Sequence, residues 1–262
     1  GDSNCVGCGQ CAAVCPTGAI IIKNDSHRLW KELNQEDTIA VAQVAPAVRV
    51  AVAKEFGYNG ENVMGKIVAA LRRIGFNYIF DTSTAADLTV MEESKEFADR
   101  LANGGKLPLF TSCCPAWIKY AENEYPEILP NISTCRSPMQ MFASVINEKF
   151  KGEGKKILSV AVMPCTAKKG EAARDEFKDE NGKPLVDFVI TTQELIMMIK
   201  EAGIVFNEIE PEAVDMPFGT MTGAGVIFGV TGGVTEAVIR RVSTDKSLAS
   251  LRNLAFEGVR GF

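Results

Sequence analysis

Histidine is nearly missing: His27 is the only one in 262 residues. Imidazole catalysis and imidazole metal sites therefore have almost no material here, and the position of His27, following a linker, reads as surface. Long apolar runs are missing too. The longest, such as "ILSVAVM" at 157–163, fall short of a bilayer span. No succession of charged, apolar and cleavage regions marks a signal peptide, so a cytoplasmic location and no membrane partner are expected. There is no basic block, and the formal net charge is -5, which excludes nucleic acid as a natural partner. The glycine-rich stretch "TMTGAGVIFGVTGG" at 220–233 lacks both the lysine of a phosphate-binding loop and the order of a dinucleotide fingerprint. It reads as an apolar loop.

What the chain does have is cysteine. Eight of them, at 5, 8, 11, 15, 113, 114, 135 and 165, lack the close, regular spacing of a secreted disulfide framework. In a reducing compartment such residues bind metal or do chemistry. "CVGCGQCAAVCP" reads Cys5-x2-Cys8-x2-Cys11-x3-Cys15-Pro16, the bacterial ferredoxin spacing for 4Fe-4S clusters. Cys5, Cys8 and Cys11 are spaced to wrap one cube. Cys15, before its proline, belongs to a neighbouring cube.

With 46% apolar and 23% charged residues, the rest is long enough for one sizeable core plus a small appendage. The segment 26–36 reads as a linker helix, and "TIAVAQVAP" as a buried strand stopped by Pro46. A helix at 61–75 ending on Gly75, a strand at 76–83, a helix at 85–104 and a strand "LPLF" at 107–110 follow. After these come a helix at 116–125, a strand at 157–163 and a strand–helix pair at 188–203. Alternation of this kind predicts an α/β fold: largely parallel sheets flanked by helices, with the metal site at strand carboxyl ends. The expected organisation is a ferredoxin-like segment at 1–25, the linker helix at 26–36 and the main domain at 37–262.

Ligands in open α/β sheets collect at the carboxyl ends of strands. "LPLF" is expected to deliver Cys113 and Cys114 there, "ILSVAVM" to deliver Cys165, and a third strand end to offer Ala45 and Pro46. Adjacent cysteines are poorly placed to bridge each other or to share one small metal site, so Cys113 and Cys114 are expected to have different jobs. Cys135 reads as an ordinary small core residue.

"TSCCPAW" and "MPCTAKKGEA" resemble the first two signature motifs of the iron-iron (FeFe) hydrogenases, and the front cysteine motif sits where that family carries its cluster-binding extension. The resemblance covers essentially the whole chain. It implies that Cys114 and Cys165 are ligands of the cubane half of an H-cluster, a 4Fe-4S cube joined to a di-iron unit with carbon monoxide, cyanide and amine-dithiolate ligands. Ala45, Pro46, Met163, Ser137, Pro138 and Lys168 would surround the di-iron unit, with Glu171 anchoring Lys168. Cys113 would be the acid–base thiol, fed by Glu93, Ser133, Glu96 and Arg100. Glu93, Glu96 and Arg100 are three and four residues apart, so they share one helix face.

The implied activity is reversible oxidation of hydrogen, with ferredoxin or another redox subunit as electron partner and maturation proteins delivering the di-iron unit. Met139 stands where ferredoxin-linked members have glutamine. The family's third motif is not found before "FEGVRGF" at 256–262. The cubane then has two of its four thiolates, and the front cluster three ligands. The chain is accordingly expected to be an inner segment of a longer polypeptide. Two other classes share the resemblance: cytosolic iron-sulfur assembly proteins, which bind clusters without hydrogen chemistry, and hydrogen sensors, which would need a signalling domain. Retention of Cys113, Glu93, Ser133, Glu96 and Arg100 argues against the first.

Overall fold

A strand buried on both faces organises the molecule. The computed structural model describes residues 3–260, and within it β1 (Thr38–Val44) lies between two neighbours. It pairs in parallel with β2 (Tyr78–Asp81), Val44 opposite Asp81, and with β3 (Lys156–Met163), Val44 opposite Val162. β3 in turn pairs in parallel with β4 (Phe188–Thr191). The sheet order is β2-β1-β3-β4. Near-continuous apolar runs such as Ala40–Ala42 and Val160–Val162 suit a parallel sheet covered on both sides.

Small helices α1 (Gln10–Val14) and α2 (Ser26–Leu33) precede the sheet. On one face β1 residues Ala40, Ala42 and Val44 share a core with α3 (Val48–Glu55) and α4 (Met64–Ile74). On the other face Val41 and Phe80 meet Ala85 of α5 (Ser83–Asn103). α6 (Pro115–Glu124) lies away from the sheet, whereas α7 (Pro138–Lys149) adds Phe142 and Ile146 to that second core. Phe142 is fully enclosed, so truncation to alanine there costs about 3–5 kcal/mol. After β3 comes α8 (Ala167–Ala172), and after β4 comes α9 (Thr192–Glu201), which joins the first core through Leu195, Met198 and Ile199. A reciprocal Thr191–Glu194 capping box starts α9. α4 ends at Gly75, whose φ of 120° is open to glycine, as the sequence predicts.

The structure corrects several expected elements. "LPLF" is not a strand. Phe110 makes one isolated bridge to Ile132, with Phe110 N–H donating to Asn131 (2.9 Å) and Ser133 N–H donating to Phe110 (2.7 Å). Pro108 has no N–H to extend that pairing. The glycine-rich stretch holds α10 (Gly223–Ile227), followed by α11 (Gly233–Val242) and α12 (Leu248–Asn253), then a π-helical turn at Leu254–Arg260. α3 and α7 were not anticipated. Among the described residues no helix is long and apolar enough to cross a membrane.

Candidate metal centre and proton relay

The order β2-β1-β3-β4 reverses direction between β1 and β3, and in such sheets the crevice outside that reversal is where ligands bind. β1 ends there on Ala45 and Pro46, and β3 ends on buried Met163, followed by Pro164 and the half-buried Cys165. Arg49, the second residue of α3, donates from Nε to the Pro46 carbonyl (3.1 Å) and pairs with buried Asp81 at 2.5 Å. Arg49 and Asp81 thus tie the Ala45–Pro46 corner to β2. Neither was anticipated, because an i, i+3 arginine followed by a remote aspartate has no sequence signature.

Cys113 and Cys114 arrive on a loop rather than a strand. Cys114 is the N-cap of α6, with Pro115 at the first helical position, and its thiol is exposed. The loop is pinned by Ser112, whose hydroxyl donates to the Cys135 carbonyl at 2.6 Å. From α8, Lys168 Nζ donates to the Cys113 carbonyl (3.0 Å) and pairs with Glu171 (2.7 Å), both side chains largely enclosed. Ser137, buried at the N-cap of α7, accepts from Gln140 N–H, and Pro138 opens that helix.

Beside Cys113 runs a connected chain of polar groups. Arg100 Nη2 donates to Glu96 Oε1 (2.6 Å), and the Ser133 hydroxyl donates to Glu96 Oε2 (2.7 Å). Glu93 is fully buried, and one oxygen accepts weakly from Ser112 N–H at 3.4 Å while the other finds no hydrogen-bond partner among the described residues. Burial pushes the Glu93 carboxyl up to about 7, against the pull of the Ser112 N–H and the nearby Ser133 hydroxyl. The Glu96 carboxyl sits below its ordinary range: its burial, which pushes upward, is outweighed by the Ser133 and Arg100 hydrogen bonds. The Cys113 thiol is pushed up to about 11, first by burial, with Lys168 opposing. Glu93 acts on it through charge; no hydrogen bond joins the two among the described residues. Ser112 and Thr134, which donates to both Glu96 oxygens (3.3 and 3.1 Å), extend the set beyond the anticipated residues. So does Cys135, half-buried with its Sγ 3.8 Å from Glu96, rather than a plain core residue. A cavity of about 400 Å³ lined by Ser133, Cys135, Glu171 and Arg174 lies alongside.

The front cysteines do not join this centre. Cys5 and Cys8 are exposed on a loop whose Gly7 and Gly9 sit at φ 72° and 80°, a left-handed backbone that suits glycine, and Cys11 is exposed on α1, which follows that loop. Gly7 N–H donates to Cys5 Sγ at 3.4 Å. Cys15 is half-buried, its thiol brought down to about 7 by the Ile20 backbone and then Thr17. His27 is exposed, as expected. Among the described residues no three His, Cys, Asp or Glu side chains converge on a single metal ion. That does not decide against a cube, which places each thiolate on a separate iron.

The model of the iron-only hydrogenase large subunit, C-terminal domain, matches residues 38–262. The chain belongs to this hydrogenase family. A 4Fe-4S binding domain matches residues 2–21. The chain is 45% identical to the NADP-reducing hydrogenase subunit HndD of Solidesulfovibrio fructosivorans, covering 99% of this chain and 46% of that protein. It superimposes on the [FeFe]-hydrogenase HydA1 of Chlamydomonas reinhardtii with a TM-score of 0.72 at 39% identity, covering 83% of this chain and 57% of that one. Cytosolic iron-sulfur assembly component 3 of Bos taurus is 34% identical over 81% of this chain and 48% of its own length. The chain thus spans about half the length of the curated relatives it matches. The donor set suits the family's iron-sulfur chemistry: the Cys165 thiol just past the end of β3, the Cys114 thiol on a helix N-terminus, and the enclosed Lys168 ammonium to balance negative charge.

Proposed function

We propose that this chain forms the catalytic part of an FeFe hydrogenase that interconverts protons, electrons and molecular hydrogen. Cys114 and Cys165 would hold the cubane half of the H-cluster, and Cys5, Cys8 and Cys11 a separate 4Fe-4S cluster, with Cys15 serving a neighbouring one. Ala45, Pro46, Met163, Ser137, Pro138, Lys168 and Glu171 would enclose the di-iron unit, the two acid–base partners Lys168 and Glu171 holding each other in place. When bound, that cofactor supplies the redox chemistry of making and breaking the hydrogen molecule. Everything else is proton and electron delivery by the chain.

The observation that carries the reading is the hydrogen-bonded run Arg100–Glu96–Ser133 set next to buried Glu93, whose charge in turn acts on the Cys113 thiol, beside a candidate ligand. Glu93 at about 7 is poised to take up and release a proton near neutral pH. Cys113 at about 11 keeps its proton on Sγ, and returning it to the Glu93 carboxylate, the weaker base of the two, is uphill. The thiol therefore stays loaded and yields its proton only to a stronger base in the crevice. Electrons would come from ferredoxin or another low-potential redox subunit, and maturation proteins would deliver the di-iron unit, in a cytoplasm that keeps eight thiols reduced.

The likeness to an assembly component favours a second reading, cluster binding without hydrogen chemistry. A Cys113→Ala variant separates the two. In the iron-loaded protein it is expected to keep its iron and nearly lose hydrogen production from a low-potential dye. Undiminished production in the variant removes Cys113 from the relay, and none in the wild type supports the assembly reading.

A further inference from the structure

Two lysines stand side by side on α8 and serve opposite directions. Lys168 turns to Cys113 and Glu171. Lys169 turns to the front segment, with Nζ donating to Asp25 Oδ2 (3.0 Å), Glu194 Oε1 (2.9 Å) and the Val189 carbonyl (2.8 Å). Those three bonds use every donor of the ammonium. Asp25 also gives its backbone N–H to Glu194 Oε1 at 2.7 Å, and Thr191 N–H occupies the other Glu194 oxygen at 2.6 Å. The side chains of Lys169, Asp25 and Glu194 are only 14%, 9% and 7% exposed. Buried ion clusters of this kind add little stability over apolar packing; their best-attested use is to fix register.

The register fixed here is between two cysteine loops. Asp25 closes the front segment and opens α2, while α8 begins two residues after Cys165. A second contact repeats the connection: Thr166 Oγ1 donates to the Gly7 carbonyl at 2.6 Å. A Cβ at Gly9 would come within 3.0 Å of that same hydroxyl, at a φ of 80°. The Gly7 carbonyl belongs to the peptide entering Cys8, and Thr166 is bonded directly to Cys165. One hydrogen bond therefore completes an otherwise covalent path from the Cys8 sulfur to the Cys165 sulfur.

We propose that Lys169 is a positioning residue for electron transfer: with Asp25 and Glu194 it clamps the front cysteine loop onto the Cys165 loop and so sets the distance across the Gly7–Thr166 contact. The electron-transfer part rests on the hydrogenase reading; the clamp does not. One electron from a low-potential one-electron carrier enters at the front cluster and leaves it for the centre at Cys114 and Cys165, so the carrier is oxidised by one and that centre reduced by one.

The test uses the full-length iron-loaded protein as wild type, Lys169→Met, Lys169→Arg and Asp25→Asn. Lys169→Met is expected to speed amide hydrogen exchange at residues 5–25 by tenfold or more, with β1 and β3 unchanged. It is also expected to weaken the magnetic coupling between the two reduced centres in electron paramagnetic resonance, and Lys169→Arg to restore most of both. Unchanged exchange and coupling in Lys169→Met overturns the clamp. If Lys169→Met does not fold, Asp25→Asn, which leaves the Lys169–Glu194 pair standing, decides in the same way. Altered exchange in a loaded protein that makes no hydrogen supports the clamp and overturns the hydrogenase reading instead.

Discussion

Replacing Glu93 by glutamine removes the one fully buried carboxyl of the relay and leaves its shape nearly intact. Burial pushes this carboxyl from 4.5 to about 7. At 1.36 kcal/mol per unit the group takes roughly 3 kcal/mol from the folded state once both states are ionised. The direction follows from which state loses its proton first. Below about pH 4.5 folded and unfolded chains are both protonated and nothing is lost; between about 4.5 and 7 only the unfolded chain ionises, so stability declines as pH rises and levels off above 7. Glu96, with its lowered pKa, acts in the opposite sense and only in acid, where stability is lost as pH falls. Asp187, also raised by burial, is common to both proteins and cancels. Urea unfolding followed by tryptophan fluorescence at pH 5, 6, 7 and 8 is therefore expected to show Glu93→Gln gaining on the wild type by roughly 2.5 kcal/mol across the series. Parallel stability curves would refute the reasoning, because they would mean that Glu93 is solvated or already paired.

Lys168→Met is expected to lower stability by about 3–5 kcal/mol, since it leaves the Glu171 carboxylate enclosed without its ammonium; an unchanged urea midpoint would show that the pair is screened by solvent. Cys8→Ala is expected to lose the iron of the front cluster and with it ferredoxin-linked turnover, while iron at Cys114 and Cys165 stays. Full ferredoxin-linked activity in that variant would mean that electrons enter elsewhere.

The parallel sheet was legible because each of its four strands is a short apolar run between helical patterns, and Gly75 and Gly104 end their helices where the pattern stops. The helix face carrying Glu93, Glu96 and Arg100 was legible for the same reason: spacing alone fixes it. "LPLF" misled because four apolar residues look alike in a strand and in a packed loop, and only the tertiary contact with Asn131–Ser133 tells them apart. α3 and α7 each start beside a proline that reads as a stop, although Pro138 in fact opens α7. The contacts that hold the site, Arg49 to Asp81, Ser112 to Cys135 and Lys169 to Asp25, join residues 23 to 144 positions apart and leave no local pattern.

Hydrogen isotope exchange tests the central claim most directly, because it needs proton delivery and hydrogen cleavage but no electron partner. Full-length protein loaded with iron, sulfide and the di-iron unit, held under hydrogen gas in heavy water, is expected to release HD, and Cys113→Ala to release almost none. A wild-type protein with a complete iron content that forms no HD would contradict the account.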